Sequence, residues 1–250
     1  MSVGTLGGHP WAGGPRARLT GGEVHVWHAS LDVDTGRLGA LVRALDQGER
    51  ARADGFRVER DRCRFVAGRG VLREILGRYA DAAPSSLRFA YSGTGKPCLL
   101  PQSPVQFNVS HSGERLVVAI ARGRRLGVDV ERHPSLATVD RVSHRVFSEA
   151  ELKAIRSVDR SRQPAEFARL WARKEAYLKA DGRGVAFPLD RIDVATRPEH
   201  ALVLDAEAGE WAMDPAWTLS TLEGGASLAC CVAVEAKGRT DFRVLAADRS

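Results

Sequence analysis

The chain has 250 residues, of which 44% are hydrophobic, and it carries a formal net charge of +6 at pH 7. This composition excludes a chain that is disordered throughout and indicates one large or two small globular domains. No apolar run reaches the roughly 18 residues of a membrane helix and the N-terminus lacks a signal-peptide pattern, so we expect a cytoplasmic protein without a membrane partner.

The N-terminal part of the chain predicts a tail, a strand and then helices. Residues 1–20 contain repeated Gly-Gly pairs and two prolines without any periodicity, which predicts a tail outside the fold. Residues 23–29 alternate between apolar and polar side chains and predict a strand, followed by a helical segment at 38–45. Apolar residues recur at helical spacing over 54–79, which predicts one long helix or two consecutive helices.

The rest of the chain predicts short strands around two helices. Strands are predicted at 87–91, 105–109, 115–121, 126–130, 191–195, 201–204, 217–222 and 227–234. Ser148 and Glu151 match a capping box, so a helix is predicted to begin near residue 148. A second helix is predicted at 164–180, ending at Gly182.

This order of elements predicts an α+β fold. A strand, a helix and further strands occur once before residue 125 and again after it, which suggests two similar halves at 21–125 and 126–240, followed by a C-terminal tail at 241–250. The four cysteines form no C-x-x-C pair, and two of them are adjacent in an apolar run, so all four are expected to be free thiols.

The first candidate site is a pair of acids in the predicted strand at 126–130. Asp129 and Glu131 are two residues apart, so their side chains point to one face of the strand. Two neighbouring carboxylates repel each other unless a cation lies between them, and oxygen ligands suit Mg²⁺. The same pattern also fits an exposed strand face that carries two acids.

The second candidate site lies on the predicted helix at 164–180. Trp171, Glu175 and Lys179 follow each other at four-residue intervals, which places them on one side of the helix. They could form only a surface Glu–Lys pair beside a half-buried tryptophan. If Glu175 instead faces the two strand acids, three carboxylates would hold one hard cation, and Lys179 could neutralise a phosphate bound to it.

Two polar turns could bind an anion. Ser110, His111 and Ser112 follow a predicted strand, and Lys96 lies in a Gly-Lys-Pro turn. Each is equally compatible with an ordinary solvated turn. The chain has no P-loop, no strand-linked G-x-G-x-x-G and no G-x-S-x-G motif, which excludes the common nucleotide cradles and the nucleophile elbow.

The net charge alone does not identify the binding partner. The net charge of +6 admits nucleic acid, anionic cofactors or acidic proteins. Only five of the 37 basic residues are lysines and the arginines are scattered, so no basic stripe for nucleic acid is visible and we expect no nucleic-acid partner.

The motifs taken together resemble the Sfp-type phosphopantetheinyl transferases. The resemblance is carried, in chain order, by Gly95-Lys96-Pro97, Phe107-Asn108-Val109-Ser110-His111-Ser112, Gly127-Val128-Asp129-Val130-Glu131 and Trp171-Ala172-Arg173-Lys174-Glu175-Ala176-Tyr177-Leu178-Lys179. It covers roughly residues 45 to 235. The W-x-x-K-E-A form is similar to the branch that activates polyketide and nonribosomal peptide synthases in antibiotic biosynthesis.

The resemblance implies a fold, a reaction and a metal. The fold would be a pseudo-dimer of two halves, each an antiparallel sheet packed with a long helix, acting as a monomer. The reaction would transfer the 4′-phosphopantetheine arm of coenzyme A to a serine of an apo acyl or peptidyl carrier protein, releasing 3′,5′-ADP. Asp129, Glu131 and Glu175 would be the ligands of Mg²⁺, with Mn²⁺ as the alternative metal.

The resemblance also implies roles for individual residues. Glu175 would be the general base, and Asp129 and Lys179 would complete the catalytic set. The positions expected to contact coenzyme A are Arg52, Arg64, Arg69, Lys96, Ser110, His111 and Lys179. Glu151 matches an acidic position near the metal, but its capping box explains it equally well.

Two other functions remain open from the residues. The same acids could serve a Mg²⁺-dependent phosphoesterase, or the chain could be a non-catalytic module that binds carrier proteins. The segment from 134 to 147 is where the resemblance would place contact with the carrier.

Overall fold

The computed structural model describes residues 17–93, 95–182, 187–204, 209–223 and 227–247. The chain divides into two compact units, each built from separate stretches. The first comprises residues up to 106, then 113–123 and 240 onwards, and the second comprises 107–112 and 124–239.

The described residues form helices and strands in mixed order. The helices are α1 (Thr35–Ala44), α2 (Gln47–Asp54), α3 (Glu59–Ala80), α4 (Leu136–Val146), α5 (Glu149–Ser157) and α6 (Gln163–Asp181). The strands are β1 (Glu23–Ser30), β2 (Arg88–Tyr91), β3 (Pro97–Leu100), β4 (Val105–Ser112), β5 (Arg115–Arg122), β6 (Leu126–Arg132), β7 (Ile192–Asp193), β8 (Leu202–Leu204), β9 (Trp211–Met213), β10 (Trp217–Glu223), β11 (Leu228–Glu235) and β12 (Asp241–Ala246). The predicted α+β class is confirmed.

The first unit joins a mixed sheet to the long helix α3. Strand β1 lies between β5, which is antiparallel to it, and β12, which is parallel to it. The sheet of this unit thus combines the predicted antiparallel pairing, between β1 and β5, with one parallel pair, between β1 and β12. The indole N–H of Trp27 on β1 donates to the hydroxyl of Tyr79 on α3 at 2.7 Å, which fastens the helix to the sheet.

The C-terminus differs from the predicted tail at 241–250. Residues Asp241–Ala246 form β12, where the N–H of Asp241 donates to the carbonyl of Gly22 and Leu245 is buried. The segment is short and only partly apolar, so its local pattern did not indicate a strand. Its hydrogen bonds come from β1, more than 200 residues earlier, which no local pattern can reveal.

The boundary between the units also differs from the predicted one. Residues 107–112 were assigned to the first half, but they belong to the second unit. At the N-terminus, residues 1–16 of the predicted tail lie outside the described residues, and the N–H of Ala17 donates to the carbonyl of Arg78 at 3.2 Å.

The second unit packs one long helix on an antiparallel sheet. The strand order is β10–β11–β6, and helix α6 lies against β6 and β11. Helix α5 begins after Ser148 with the predicted capping box, and α6 ends at Gly182, whose φ of 89° is the left-handed conformation that glycine adopts freely. Both predicted helix ends are confirmed.

All four cysteines are free thiols, as predicted. Among the described residues, no helix combines the length and the apolar character needed to cross a bilayer.

Candidate functional site

The site is built where β6 crosses α6 at unusually short distance. A Cβ atom on Gly127 would lie 2.1 Å from the carbonyl oxygen of Ala176 and 2.5 Å from the backbone nitrogen of Ala180. Only glycine permits this approach, because any other side chain would overlap helix backbone that cannot move aside. The crossing brings Asp129 on the strand next to Lys179 on the helix.

Asp129 lies at the centre of a buried polar cluster. Its Oδ1 accepts a hydrogen bond from the Ser110 hydroxyl at 2.7 Å and forms an ion pair with Lys179 Nζ at 2.6 Å. Lys179 also donates to Ser110 Oγ at 3.1 Å. The carboxylate is 3% exposed, and its second oxygen, Oδ2, is buried without a hydrogen-bond partner. One acceptor of the cluster therefore remains unused.

The charge of Asp129 affects the other two predicted carboxylates. Burial, followed by the charge of Asp129, raises the pKa of Glu131 to about 7. Burial and the same neighbouring charge also raise the pKa of Glu175. The pKa of Asp129 is raised by burial against the opposing effect of Lys179. Because the charge of Asp129 disfavours ionisation of both Glu131 and Glu175, the site favours a cation.

The fit of this site to a divalent cation is partial. Its donors are carboxylate oxygens, which suit Mg²⁺, and Asp129 Oδ2 is a buried acceptor in need of a partner. However, within the described part of the chain there is no group of three or more His, Cys, Asp and Glu side chains arranged to hold a metal ion. Instead, the Asp129 carboxylate forms an ion pair with Lys179 Nζ.

Glu151 has a different neighbourhood. It is fully buried, completes the capping box at Ser148, and forms an ion pair with Lys174 Nζ at 2.7 Å. Lys174 also donates to the carbonyls of Val146, Leu189 and Ile192 at 2.5–2.9 Å. Of the two roles left open for Glu151, the helix cap is the one present in the structure.

Ser110 and His111 lie in β4, as their strand-to-turn pattern suggested, but they differ in exposure. Ser110 is buried against Asp129, and the side chain of His111 is exposed. Sequence reasoning missed two neighbours, Asn108 and Ser112, which also contact β6. The two-residue spacing of Asn108, Ser110 and Ser112 could have indicated this, because it places all three side chains on one face of the strand.

The other predicted contacts belong to the first unit. Arg64 pairs with Asp32 at 2.7 Å, and Arg69 donates to Glu49 at 2.6 Å. Arg52 is exposed and its guanidinium lies 5.1 Å from the centre of the Phe65 ring. Lys96 is half-buried in the turn between β2 and β3. Within that unit the two arginines pair with different carboxylates.

Two family models match the chain. The model described as "4'-phosphopantetheinyl transferase superfamily" matches residues 125–232, and the one described as "4'-phosphopantetheinyl transferase, N-terminal" matches residues 32–123. The first includes β6 and α6, the two elements that form the acid–lysine cluster. The fold, the site and the two matches thus indicate a transferase whose N-terminal and C-terminal parts are described by separate family models.

The chain is also similar to individual proteins that are named 4′-phosphopantetheinyl transferases. The chain is 35% identical to "4'-phosphopantetheinyl transferase HetI" of Nostoc sp. over 90% of this chain and 92% of that protein. It is 30% identical to "4'-phosphopantetheinyl transferase Sfp" of Bacillus subtilis over 58% of this chain and 64% of that protein. The solved ACPS–CoA complex of Chronobacterium ammoniagenes matches 46% of this chain and 98% of that chain at 19% identity, with a TM-score of 0.32, which is too low to carry an argument.

The chain belongs to the 4′-phosphopantetheinyl transferase superfamily. The predicted family, the predicted enzyme class and the transfer of a 4′-phosphopantetheine group are confirmed.

Proposed function

We propose that the chain transfers the 4′-phosphopantetheine arm of coenzyme A to a serine of an apo acyl or peptidyl carrier protein at the cluster around Asp129. The observation that carries the proposal is the contact of Lys179 with a buried aspartate whose second oxygen has no partner. Such a pair offers a cation for phosphate beside an oxygen ligand for a metal.

The proposed metal is Mg²⁺, with Mn²⁺ as the alternative, held by Asp129, Glu131 and Glu175. When bound, the metal would withdraw electron density from the pyrophosphate and neutralise charge on the leaving phosphate. The charge of Asp129, which raises the pKa of both Glu131 and Glu175, supports this ligand set. Metal binding would require their side chains to gather more closely than they do in the described structure.

The chain's own residues would carry the proton and the charges. Glu175, whose pKa is raised by burial, would accept the proton of the carrier serine hydroxyl. The serine oxygen would form a bond to the phosphorus that carries the pantetheine arm. The bond from that phosphorus to the bridging oxygen would break, and the electron pair would leave with 3′,5′-ADP. Lys179 would neutralise phosphate charge as it develops.

The remaining residues would bind coenzyme A. His111 is exposed and available for a phosphate, and Ser110 would contribute its hydroxyl beside Lys179. Lys96 and Arg52 would add positive charge for the phosphates. Arg64 and Arg69 would have to exchange their carboxylate partners, Asp32 and Glu49, for a phosphate.

The proposed setting is a cytoplasmic monomer that serves carrier domains of polyketide or nonribosomal peptide synthases. Coenzyme A is a cytoplasmic substrate in this proposal, and the basic net charge of +6 suits an acidic carrier. No nucleic acid or membrane partner is required.

The test is intact-mass spectrometry of purified apo carrier domains incubated with the enzyme, coenzyme A and Mg²⁺. We expect the mass of one phosphopantetheine arm to be added, and EDTA to abolish the addition. Glu175→Gln should lower the rate by at least about 100-fold if it removes the base. Glu166→Gln is the matched control, because Glu166 lies on the same helix and pairs with Arg169 away from Asp129.

Three outcomes would contradict the proposal. A carrier left unmodified by the wild-type enzyme would remove carrier modification as the function. Hydrolysis of coenzyme A without a carrier would favour the phosphoesterase. Equal rates for Glu175→Gln and Glu166→Gln would remove Glu175 as the base.

A further inference from the structure

Among the described residues, strand β6 is the last strand of its sheet, so β11 pairs with only one of its two edges. The sheet order is β10–β11–β6, and β11 bonds only one side of β6. Val128 shows the consequence: its N–H donates to the side chain of Asn108 at 2.9 Å, and its carbonyl accepts from Lys179 at 3.4 Å. Side chains therefore replace a neighbouring strand at this edge.

The replacements come from three alternate residues of β4. Asn108, Ser110 and Ser112 are two residues apart, so their side chains leave one face of the strand. Asn108 Oδ1 binds the backbone of Val128, and Ser110 binds the Asp129 carboxylate at 2.7 Å.

Ser112 makes two contacts with one hydroxyl. It donates to Glu131 Oε2 at 3.3 Å and accepts from the N–H of Arg132 at 3.2 Å. A serine hydroxyl has one donor and two acceptor positions, so both contacts can be made at once. The same atom thus fixes the strand backbone and a carboxylate that the proposed site uses.

We infer that Asn108 and Ser112 are positioning residues, which hold the free edge of β6 so that Asp129 and Glu131 present their carboxylates in fixed places. The inference rests on the proposed function of those acids. Asn108 acts through the backbone just before Asp129, and Ser112 acts through Glu131 and the backbone just after it. Neither residue needs to touch coenzyme A or the carrier.

The first experiment compares Ser112→Ala with Ser112→Thr, which keeps the hydroxyl. Loss of an outer contact to a ligand typically lowers activity or metal affinity by about 10- to 100-fold. We expect Ser112→Ala to lower kcat and to raise the Mg²⁺ concentration at half-saturation by factors in that range, with little change in the KM for the carrier. Ser112→Thr should restore most of both. Ser157→Ala is the matched control, because that serine is exposed at the end of α5.

The second experiment measures the backbone contacts directly by amide hydrogen exchange. Exchange at Arg132 should accelerate by about tenfold or more in Ser112→Ala, and exchange at Val128 should do so in Asn108→Ala, because each N–H loses its acceptor. If Asn108→Ala does not fold, the Ser112 variants decide the inference, since Ser112 is only half-buried.

The outcomes separate this inference from the proposed function. A wild-type enzyme that modifies no carrier contradicts the proposed function, whereas Mg²⁺-dependent thermal stabilisation and amide exchange still test the positioning role. The inference is overturned if Ser112→Ala keeps the wild-type kcat and Mg²⁺ dependence, or if Ser112→Thr is as impaired as Ser112→Ala.

Discussion

Two lysines of α6, five residues apart, occupy different environments. Lys174 is fully buried and is neutralised by Glu151, with three backbone carbonyls around its amine. Lys179 remains 30% exposed while it pairs with Asp129. The first lysine holds the second unit together, because all its contacts are internal. The second can still reach a ligand.

The pairing of Lys179 with Asp129 predicts a measurable coupling. Lys179→Met should destabilise the metal-free protein by about 2 kcal/mol, because it leaves a buried carboxylate without its cation. This is below the usual cost for a fully buried pair, since Lys179 is partly solvated. In Asp129→Asn/Lys179→Met the loss should be smaller than the sum of the single losses. Urea denaturation in EDTA measures all three variants.

The exposed Lys153 supplies the control for that prediction. Lys153→Met should change the free energy of unfolding by less than about 0.5 kcal/mol. Equal stability of Lys179→Met and Lys153→Met would show that the ion pair contributes nothing.

A buried histidine predicts pH-dependent stability in the first unit. Burial lowers the pKa of His25, Glu23 raises it in part, and Arg243 lowers it further. The unfolded chain has the ordinary histidine pKa of about 6.5 and therefore binds the proton first as the pH falls. The free energy of unfolding should decrease as the pH falls from about 7.5 through the folded-state pKa.

The variant His25→Gln tests the source of this slope. Urea titrations across that pH range should give a smaller slope for the variant than for the wild type. His28, whose pKa is also lowered by burial, should retain its own contribution. An unchanged slope in His25→Gln would assign the whole pH dependence to other groups.

At the scale of elements, one glycine sets the distance between β6 and α6. Gly127→Ala should destabilise the protein by about 3 kcal/mol or more, because the new methyl group would overlap helix backbone. Transfer activity should fall with it, since Asp129 would move away from Lys179. Differential scanning calorimetry and initial rates provide the two measurements.

Gly39 makes a matched control on α1. A Cβ there would meet no atom within 4 Å, so Gly39→Ala should stabilise the protein by about 0.5–1 kcal/mol through helix propensity alone. If Gly127→Ala were tolerated as well as Gly39→Ala, the close crossing would not be required.

Local chemistry made some elements predictable. The start of α5 followed from Ser148 and Glu151, and the end of α6 followed from Gly182, because caps are written in adjacent residues. Helix α2 has an equally local signal, the capping box of Asp46 and Glu49, but this helix was not predicted. Helix α4, which was not predicted, begins at the serine cap Ser135.

Contacts between distant segments could not be predicted in the same way. The two-residue spacing of Asp129 and Glu131 fixed their shared face, but not which side chain would neutralise them. Lys179 meets Asp129 because β6 and α6 cross at Gly127, and Asn108 bonds β6 on the side that β11 does not pair with. The resemblance supplied the grouping of these residues, which their spacing alone left open.

At the scale of the whole molecule, the net charge of +6 predicts salt-dependent recognition of an acidic carrier. The apparent KM for the carrier should rise several-fold between about 0.05 and about 0.3 M salt, because screening weakens long-range attraction. The KM for coenzyme A should change less, since its contacts are short. Initial rates with each substrate varied in turn measure both, and a salt-independent carrier KM would contradict electrostatic docking.

The parallel pairing of β12 with β1 has a consequence for synthesis on the ribosome. The first unit needs residues at both ends of the chain, and the whole second unit lies between them. At about 5–20 residues per second, β1 waits many seconds for its last neighbour to be translated. All strands and helices of the second unit are translated before β12. The second unit can therefore complete its fold before the first unit, although the first unit begins earlier in the sequence. A nascent chain that stops before residue 241 leaves the outer edge of β1 uncovered.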